Sequence, residues 1–354
     1  MNSIKRNRRV LFLYSELASY VLSSLLELAS RPHLEVHVIH FPVNQDAPFD
    51  FNLPEKIRFY NRSQFDNKQL LLFIQNLQPD LIYCAGWIDK GYLKAIRAYK
   101  STTPVLLAMD TPWKGSWRQL VAVLLGKQLR SGFTHAWVAG ERQKKYAIKL
   151  GFKTGAILTG VYACDIPHFS KLYNDIKSQK SINKPKRFLY IGRYVEEKGI
   201  ETLWNAFIKL HEYNPNDWEL WCAGTGVLQA SFPKHPKIKD LGFVQPSQMK
   251  QLIADTSVLV LPSYFEPWGV VVHEFAAAGF PLLCSHEVGA AERFLIAGIN
   301  GFSFPPGDEA VLIDYLYAFT KMSDEDFKAM SVSSVELANR YNPSDWADQI
   351  TNLL

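Results

Sequence analysis

The sequence predicts an α/β fold built from two doubly wound parallel sheets. Three observations carry this: short apolar runs recur along all 354 residues, helical patterns lie between them, and a polar stretch divides them into two sets. In the first half the candidate strands are RVLFLY, EVHVIHF, DLIYCAG, PVLLAMD and HAWVAG; in the second they are RFLYIGR, WELWCAG, IKDLGFV, SVLVLP, PLLCS and GFSFPP. Several are apolar without alternation, as parallel strands covered on both faces must be. Helical patterns such as IETLWNAFIKLHEY and PSQMKQLIADT alternate with them, which selects an α/β architecture. The dividing stretch, residues 170–187, is charged, ends near Pro185 and reads as a linker. About five strands fall on each side. Two such domains facing one another would leave a central cleft, with ligands at the carboxyl ends of the strands.

Bulk composition limits the function classes. With 47% hydrophobic and 21% charged residues the chain is globular rather than disordered. Its net charge of +5 suits acidic small molecules or an anionic membrane surface and is too diffuse for nucleic acid. The cysteines Cys84, Cys164, Cys222 and Cys284 show no paired spacing, so they read as buried free thiols of a reducing compartment. A basic start followed by VLFLY resembles a leader, but Glu16 interrupts the apolar stretch, and VLFLY reads as the first strand. No apolar run is long enough to span a membrane. The tail PSDWADQITNLL reads as a helix with Ser344 as its N-cap.

Two stretches carry candidate chemistry. In YIGRYVEEKGIETLWNAF a strand ends at Gly192, then Arg193 and Lys198 flank a loop before a helix. Two cations near unpaired helix N–H groups can seat a diphosphate; a solvated basic loop paired to Glu196 and Glu197 is the competing reading. In SYFEPWGVVVHEFAAAG, Glu266 lies in a Pro/Gly loop and Glu274 in the helix that follows. Gly269 allows close backbone approach to a ligand, and Val270 and Val271 offer N–H groups at the helix start. The competing readings are that Glu266 caps that helix and Glu274 pairs with a lysine. His37 and His40 face opposite ways on a strand, which disfavours a metal pair. His273 reads as a packing residue. The stretch TPWKGSWRQLVAVLLGKQLR mixes Trp113, Trp117, Lys114, Arg118, Lys127 and Arg130 with an apolar stripe. It reads first as a core-facing helix with a basic outer side, and second as a lipid or membrane contact.

The chain resembles the retaining GT-B glycosyltransferases of family 4, the glycosyl transferases group 1. GRYVEEKGIETLWNAF, CAGTG, DLGFVQPSQM, LPSYFEPWGVVVHEFAAAGFPLLCS and GINGFSFPPGD follow the family's motifs in order. The resemblance implies two Rossmann-like domains: an acceptor-side domain over residues 1–170 and a nucleotide-sugar-binding domain over 171–341, with a closing helix at about 342–354 available to pack back on the first. It implies that Arg193 and Lys198 neutralise a nucleotide-sugar diphosphate and that Glu274 holds ribose. Backbone at Phe243 and Val244 would meet the base, and Gly269, Val270 and Val271 the distal phosphate and sugar. Glu266 would contact the transferred sugar near its anomeric carbon.

The first half departs from the family pattern. LYSELASYVLSS lacks the glycine-rich loop, Met109 stands where histidine is expected before Asp110, and Thr159 replaces the usual Asn in LTGVYACDIPHF. Asp110, at the carboxyl end of a strand, is the first domain's candidate catalytic residue; a cap or turn before Thr111-Pro112 is its alternative role.

The expectation is therefore a cytoplasmic, metal-independent hexosyltransferase with no cofactor, peripheral at most on the inner face of a membrane. It would move a UDP- or GDP-linked sugar to a carbohydrate or lipid-linked acceptor hydroxyl in polysaccharide, lipopolysaccharide or glycolipid assembly. An inactive nucleotide-sugar-binding subunit, or another GT-B enzyme such as an epimerase, are the alternatives.

Overall fold

The computed structural model describes residues 6–15, 17–42, 53–99, 102–182 and 184–354; Glu16 lies outside this set. The described chain divides into two compact units: Met1–Asp165 with Tyr341–Leu354, and Ile166–Arg340. The division thus falls at 165/166, rather than at 170/171.

The first unit holds β1 (Arg8–Leu13), β2 (Leu34–His40), β3 (Ile57–Asn61), β4 (Leu81–Ala85), β5 (Val105–Met109), β6 (His135–Val138) and β7 (Ile157–Thr159). They form one sheet in the order β3-β2-β1-β4-β5-β6-β7, all parallel. The second unit holds β8 (Arg187–Ile191), β9 (Glu219–Ala223), β10 (Ile238–Asp240), β11 (Val258–Leu261), β12 (Leu282–Ser285) and β13 (Gly301–Phe304). Their order is β10-β9-β8-β11-β12-β13, again all parallel. Each strand-order reversal creates a switch point, between β1 and β4 in one sheet and between β8 and β11 in the other. Ligand crevices of open α/β sheets form at such points.

The continuous apolar runs became the inner strands. Val10, Leu11, Phe12 and Leu13 of β1 are fully buried, as are Val258, Leu259 and Val260 of β11. Two strands that the runs do not announce, β3 and β7, are the edges of the first sheet. An edge strand needs only one covered side, so IRFYN leaves most of its length part-exposed.

Three local expectations are corrected. Residues 170–187 are not a linker for most of their length: a helix runs Ile166–Ile182. Phe169, Leu172 and Ile176 are its buried stripe, three and four residues apart. The last helix, Pro343–Thr351, is capped by Asn342 rather than by Ser344, in a capping box with Asp345; Pro343 takes the first helical position, where its missing N–H costs nothing. This helix completes the first unit's core. Trp346 stacks on Trp137 at 5.0 Å and donates its indole N–H to Val161 O at 2.9 Å. Finally, the helix Trp117–Leu124 turns its apolar stripe to solvent and not to the core.

All four cysteines are buried and none forms a disulfide. Burial raises the thiol pKa of Cys84 and Cys284, and pushes that of Cys222 up to about 12. Thiols held protonated in this way are poor nucleophiles.

Candidate active site

The second unit gathers most of its candidate residues at the β8/β11 switch point. The loop leaving β8 carries Arg193 and Lys198 and ends at Gly199, whose φ of 64° is left-handed. A Cβ there would collide with the Pro262 carbonyl, so this position admits only glycine if the loop is to lie against the end of β11. The loop leaving β11 carries Tyr264 to Gly269, and the helix Val270–Ala277 follows. Two bonds stitch the loops together: Phe265 N–H donates to Glu197 O at 3.0 Å, and the Thr202 and Tyr264 hydroxyls share a hydrogen bond of 2.6 Å.

Across this seam Lys198 Nζ lies 2.7 Å from Glu266 Oε2, with side chains only 13% and 17% exposed. Arg193 behaves differently. It reaches Glu197 Oε1 at 3.2 Å and stays largely in solvent. Arg193 is thus paired within its own loop, whereas the carboxylate partner of Lys198 comes from the other loop.

Glu266 does not cap the helix. The N-cap is Gly269, at φ 87°. A Cβ on Gly269 would stand 2.9 Å from Glu266 Cγ, so the absent side chain makes room for this carboxylate. Glu266 backbone is held on both sides, its N–H by Glu287 O at 3.3 Å and its carbonyl by Gly289 N–H at 3.1 Å. Val270 and Val271 begin the helix, and the first amide to close back on it is that of Val272, onto Gly269 O at 3.0 Å. The amides of Val270 and Val271 thus precede the helical ladder, where oxyanions bind. Glu274, half-buried, lies one turn further on the same helix.

Phe243 and Val244 lie elsewhere. The strand expected to reach them stops at Asp240, and they follow it in a loop beyond the edge strand β10. Their loop is tied to the one leaving β9 by Gly224 N–H to Gly242 O at 2.7 Å. Asp240 fixes the same end: its Oδ1 accepts from Tyr194 Oη at 3.0 Å and from Gly242 N–H at 3.0 Å.

His273 is fully packed. Its ring stacks on Phe294 at 3.8 Å and its Nε2 lies 3.0 Å from Ala338 O. In the GINGF stretch, Asn300 is buried and accepts from Ile296 N–H at 2.8 Å while donating to Phe294 O at 2.9 Å. That motif holds a turn.

In the first unit, Asp110 follows β5. The next helix starts at Trp117 under a Ser116 cap, so Asp110 is not its N-cap. Its carbonyl accepts from Gln143 Nε2 at 2.9 Å, and its Oδ2 accepts from Tyr162 Oη at 3.2 Å. No sequence motif points to Tyr162, which lies 52 residues from Asp110. Burial first, then Tyr20 and Asp110, push its phenol pKa well up, so it stays a donor to the carboxylate. Met109, where histidine is expected, is 6% exposed and belongs to the core. His37 lies 3.2 Å from Tyr60 Oη, and His40 Nδ1 lies 2.7 Å from Phe41 O, so each has a separate partner.

The sheets and their switch points define an open GT-B fold. Residues 185–321 match the family described as glycosyl transferases group 1, and it is this family that the chain resembles, most strongly in its second unit. A glycogen synthase of Mycobacterium tuberculosis is 25% identical over 249 residues, 66% of this chain and 58% of that protein. The match thus spans under two thirds of that relative's length. An uncharacterised glycosyltransferase of Methanocaldococcus jannaschii is 32% identical over 135 residues, 36% of this chain and 34% of its own. Among solved structures, Anabaena HepE in complex with UDP and glucose superposes with a TM-score of 0.73 at 16% identity, covering 97% of this chain and 98% of that one. At that identity the likeness speaks for the fold.

Proposed function

We propose that the chain is a retaining glycosyltransferase that moves a hexosyl group from a UDP- or GDP-linked donor to an acceptor hydroxyl. The observation that carries this reading is the Lys198–Glu266 pair at the β8/β11 switch point, 2.7 Å apart and mostly buried, beside the left-handed Gly269. A diphosphate at this point would meet Lys198, Arg193 and the amides of Val270 and Val271. These groups oppose the negative charge that develops as the bond from the anomeric carbon to phosphate oxygen breaks. Glu266 would then face the sugar, where the carbon becomes cationic, and Glu274 the ribose hydroxyls. Phe243 and Val244, on their separate loop, would meet the base. The acceptor oxygen attacks on the face that the diphosphate leaves, and its proton passes to the departing phosphate oxygen. Asp110 would belong to the acceptor side.

HepE, which shares the fold, is held with UDP and glucose, in keeping with a nucleotide-linked donor, and the glycogen synthase and glycosyltransferase relatives support sugar transfer. A carbohydrate or lipid-linked acceptor of polysaccharide, lipopolysaccharide or glycolipid assembly completes the reading. If Lys198 and Arg193 meet the diphosphate, turnover needs no divalent ion and survives exhaustive chelation.

Mass spectrometry of incubations with single nucleotide-sugars is the test. Slow donor hydrolysis, or transfer to an added acceptor, supports the reading. An epimerised donor, or a donor bound and left unchanged, would sink it. Loss of activity on chelation, restored by Mg²⁺ or Mn²⁺, would overturn metal independence alone.

A further inference from the structure

The helix Trp117–Leu124 presents its apolar stripe to water. Trp117, Leu120, Val121 and Leu124 follow the i, i+3, i+4, i+7 spacing that normally faces a core. Here they are 70%, 52%, 44% and 84% exposed, and Leu125 adds another 45%. The opposite face anchors the helix. Gln119 is buried and donates to Pro112 O at 2.8 Å while accepting from Lys114 N–H at 2.8 Å. Ala122 and Val123 pack on the core. Scattered exposed apolar side chains are ordinary; five within nine residues mark a contact surface.

Charge identifies what that surface meets. Residues 111–153 contain nine Lys and Arg and a single acid, Glu141, for a net +8. The whole chain is only +5, so the remaining residues together are −3. The basicity of the protein is therefore local. Two of these cations lie against tryptophans of this segment. Arg118 lies 5.5 Å from the Trp117 ring, and Lys149, at the end of the helix Glu141–Lys149, lies 4.8 Å from the Trp113 ring. A Cβ at Gly126 would stand 2.7 Å from Leu150 O, so the two segments meet backbone to backbone.

We propose that this face docks the protein on an anionic lipid bilayer. A helix of eight residues is about 12 Å long. Lying flat, it can sink one tryptophan and three aliphatic side chains into the headgroup boundary while flanking cations meet lipid phosphates. A second copy of the chain would oppose +8 with +8. Nucleic acid would meet the cations but gain nothing from Leu120 and Leu124. No helix among the described residues is long and apolar enough to cross a membrane, so the contact is peripheral and reversible. The inference does not rest on the donor site, whose residues all lie in the second unit.

The test is co-sedimentation of the full chain with vesicles of phosphatidylcholine, with and without phosphatidylglycerol. The protein should pellet with the anionic vesicles at low salt, far less with neutral ones, and be released as salt rises. Leu120→Gln/Leu124→Gln should cut partitioning at least tenfold. Arg118→Gln/Lys127→Gln should cut it roughly fivefold per cation removed. Both pairs are solvent-facing, and unchanged melting temperatures will show that the variants fold. Three results would each overturn the proposal: no binding to anionic vesicles, binding indifferent to the leucine variant, or a dimer in sedimentation velocity that this variant dissolves. Nucleotide binding measured on the same samples reports the donor site separately.

Discussion

Lys198 Nζ and Glu266 Oε2 stand 2.7 Å apart although 68 residues separate them in sequence. They meet because β8 and β11 are sheet neighbours, pairing Phe188 with Val258 and Leu189 with Leu259, so the loops leaving the two strands share one crevice. Removing one member strands the other in a site where each side chain is less than a fifth exposed. Lys198→Met and Glu266→Gln should each lower stability by about 1–3 kcal/mol, the usual cost of an orphaned buried polar group. The double variant should regain much of that loss, because no charge is then left unpaired, yet stay inactive in transfer. Thermal melts beside transfer assays decide it. A double variant that is active would make the pair purely structural.

The two glutamates should fail in opposite ways. Glu274→Ala should weaken nucleoside diphosphate binding by about 1.5–3 kcal/mol if it holds the ribose through charged hydrogen bonds. Glu266→Gln removes the carboxylate that occupies Lys198 and leaves the ammonium freer to meet phosphate. Nucleoside diphosphate affinity should therefore hold or rise while the transfer rate falls. Calorimetric titration with UDP and GDP separates the cases. Equal losses of affinity in both variants would show that Glu266 is misplaced.

In the first unit Asp110 accepts from Tyr162 Oη at 3.2 Å. The carboxylate is thus oriented by a half-buried phenol and has no helix to cap. Asp110→Asn should lower turnover with little change in melting temperature. Tyr162→Phe, which keeps the ring and removes only the donor, should give a smaller loss, because the carboxylate keeps its place but loses one orienting hydrogen bond. A fully active Asp110→Asn variant would remove this residue from the reaction.

The legibility of the sequence tracked how locally each feature is encoded. β1 announces itself through Val10 to Leu13 and β11 through Val258 to Leu261, apolar runs covered on both faces. β3 does not, because four of its five residues are at least partly exposed, and β7 does not, because it is only three residues long. The helix Ile166–Ile182 was hidden by its polar composition, although Phe169, Leu172 and Ile176 carry the helical period. Ser344 looks like the cap of the last helix only if Pro343 lies outside it; with Pro343 as the first helical residue, the cap is Asn342. At the candidate site, each loop was readable by itself through its glycines, cations and acids. The Lys198–Glu266 contact and the Tyr162–Asp110 bond were not, since both depend on which strands become neighbours. Nor does a stripe at helical spacing tell whether it faces the core, and Trp117 to Leu124 face outward.

A final expectation concerns pH. His37, on β2, is 1% exposed, with Tyr60 Oη at 3.2 Å and Glu35 Oε2 at 3.8 Å. Burial, then Arg58, hold its pKa below the ordinary 6.5, against the opposing pull of Glu35. His135 and His235 are lowered chiefly by burial as well. For each, the unfolded chain takes up a proton more readily than the folded one, so acid favours unfolding. The contribution is whole above pH 6.5 and is lost as pH falls from there through the depressed folded values. Glu35 and Glu219, lowered from 4.5, lose their contributions only in stronger acid. The melting temperature should therefore fall between pH 6.5 and about pH 5, before carboxylates titrate. His37→Gln, which cannot take up a proton, should flatten part of that slope while lowering the melting temperature at neutral pH. A wild-type melting temperature that is level across this window would mean that these imidazoles accept protons as freely inside the fold as outside it.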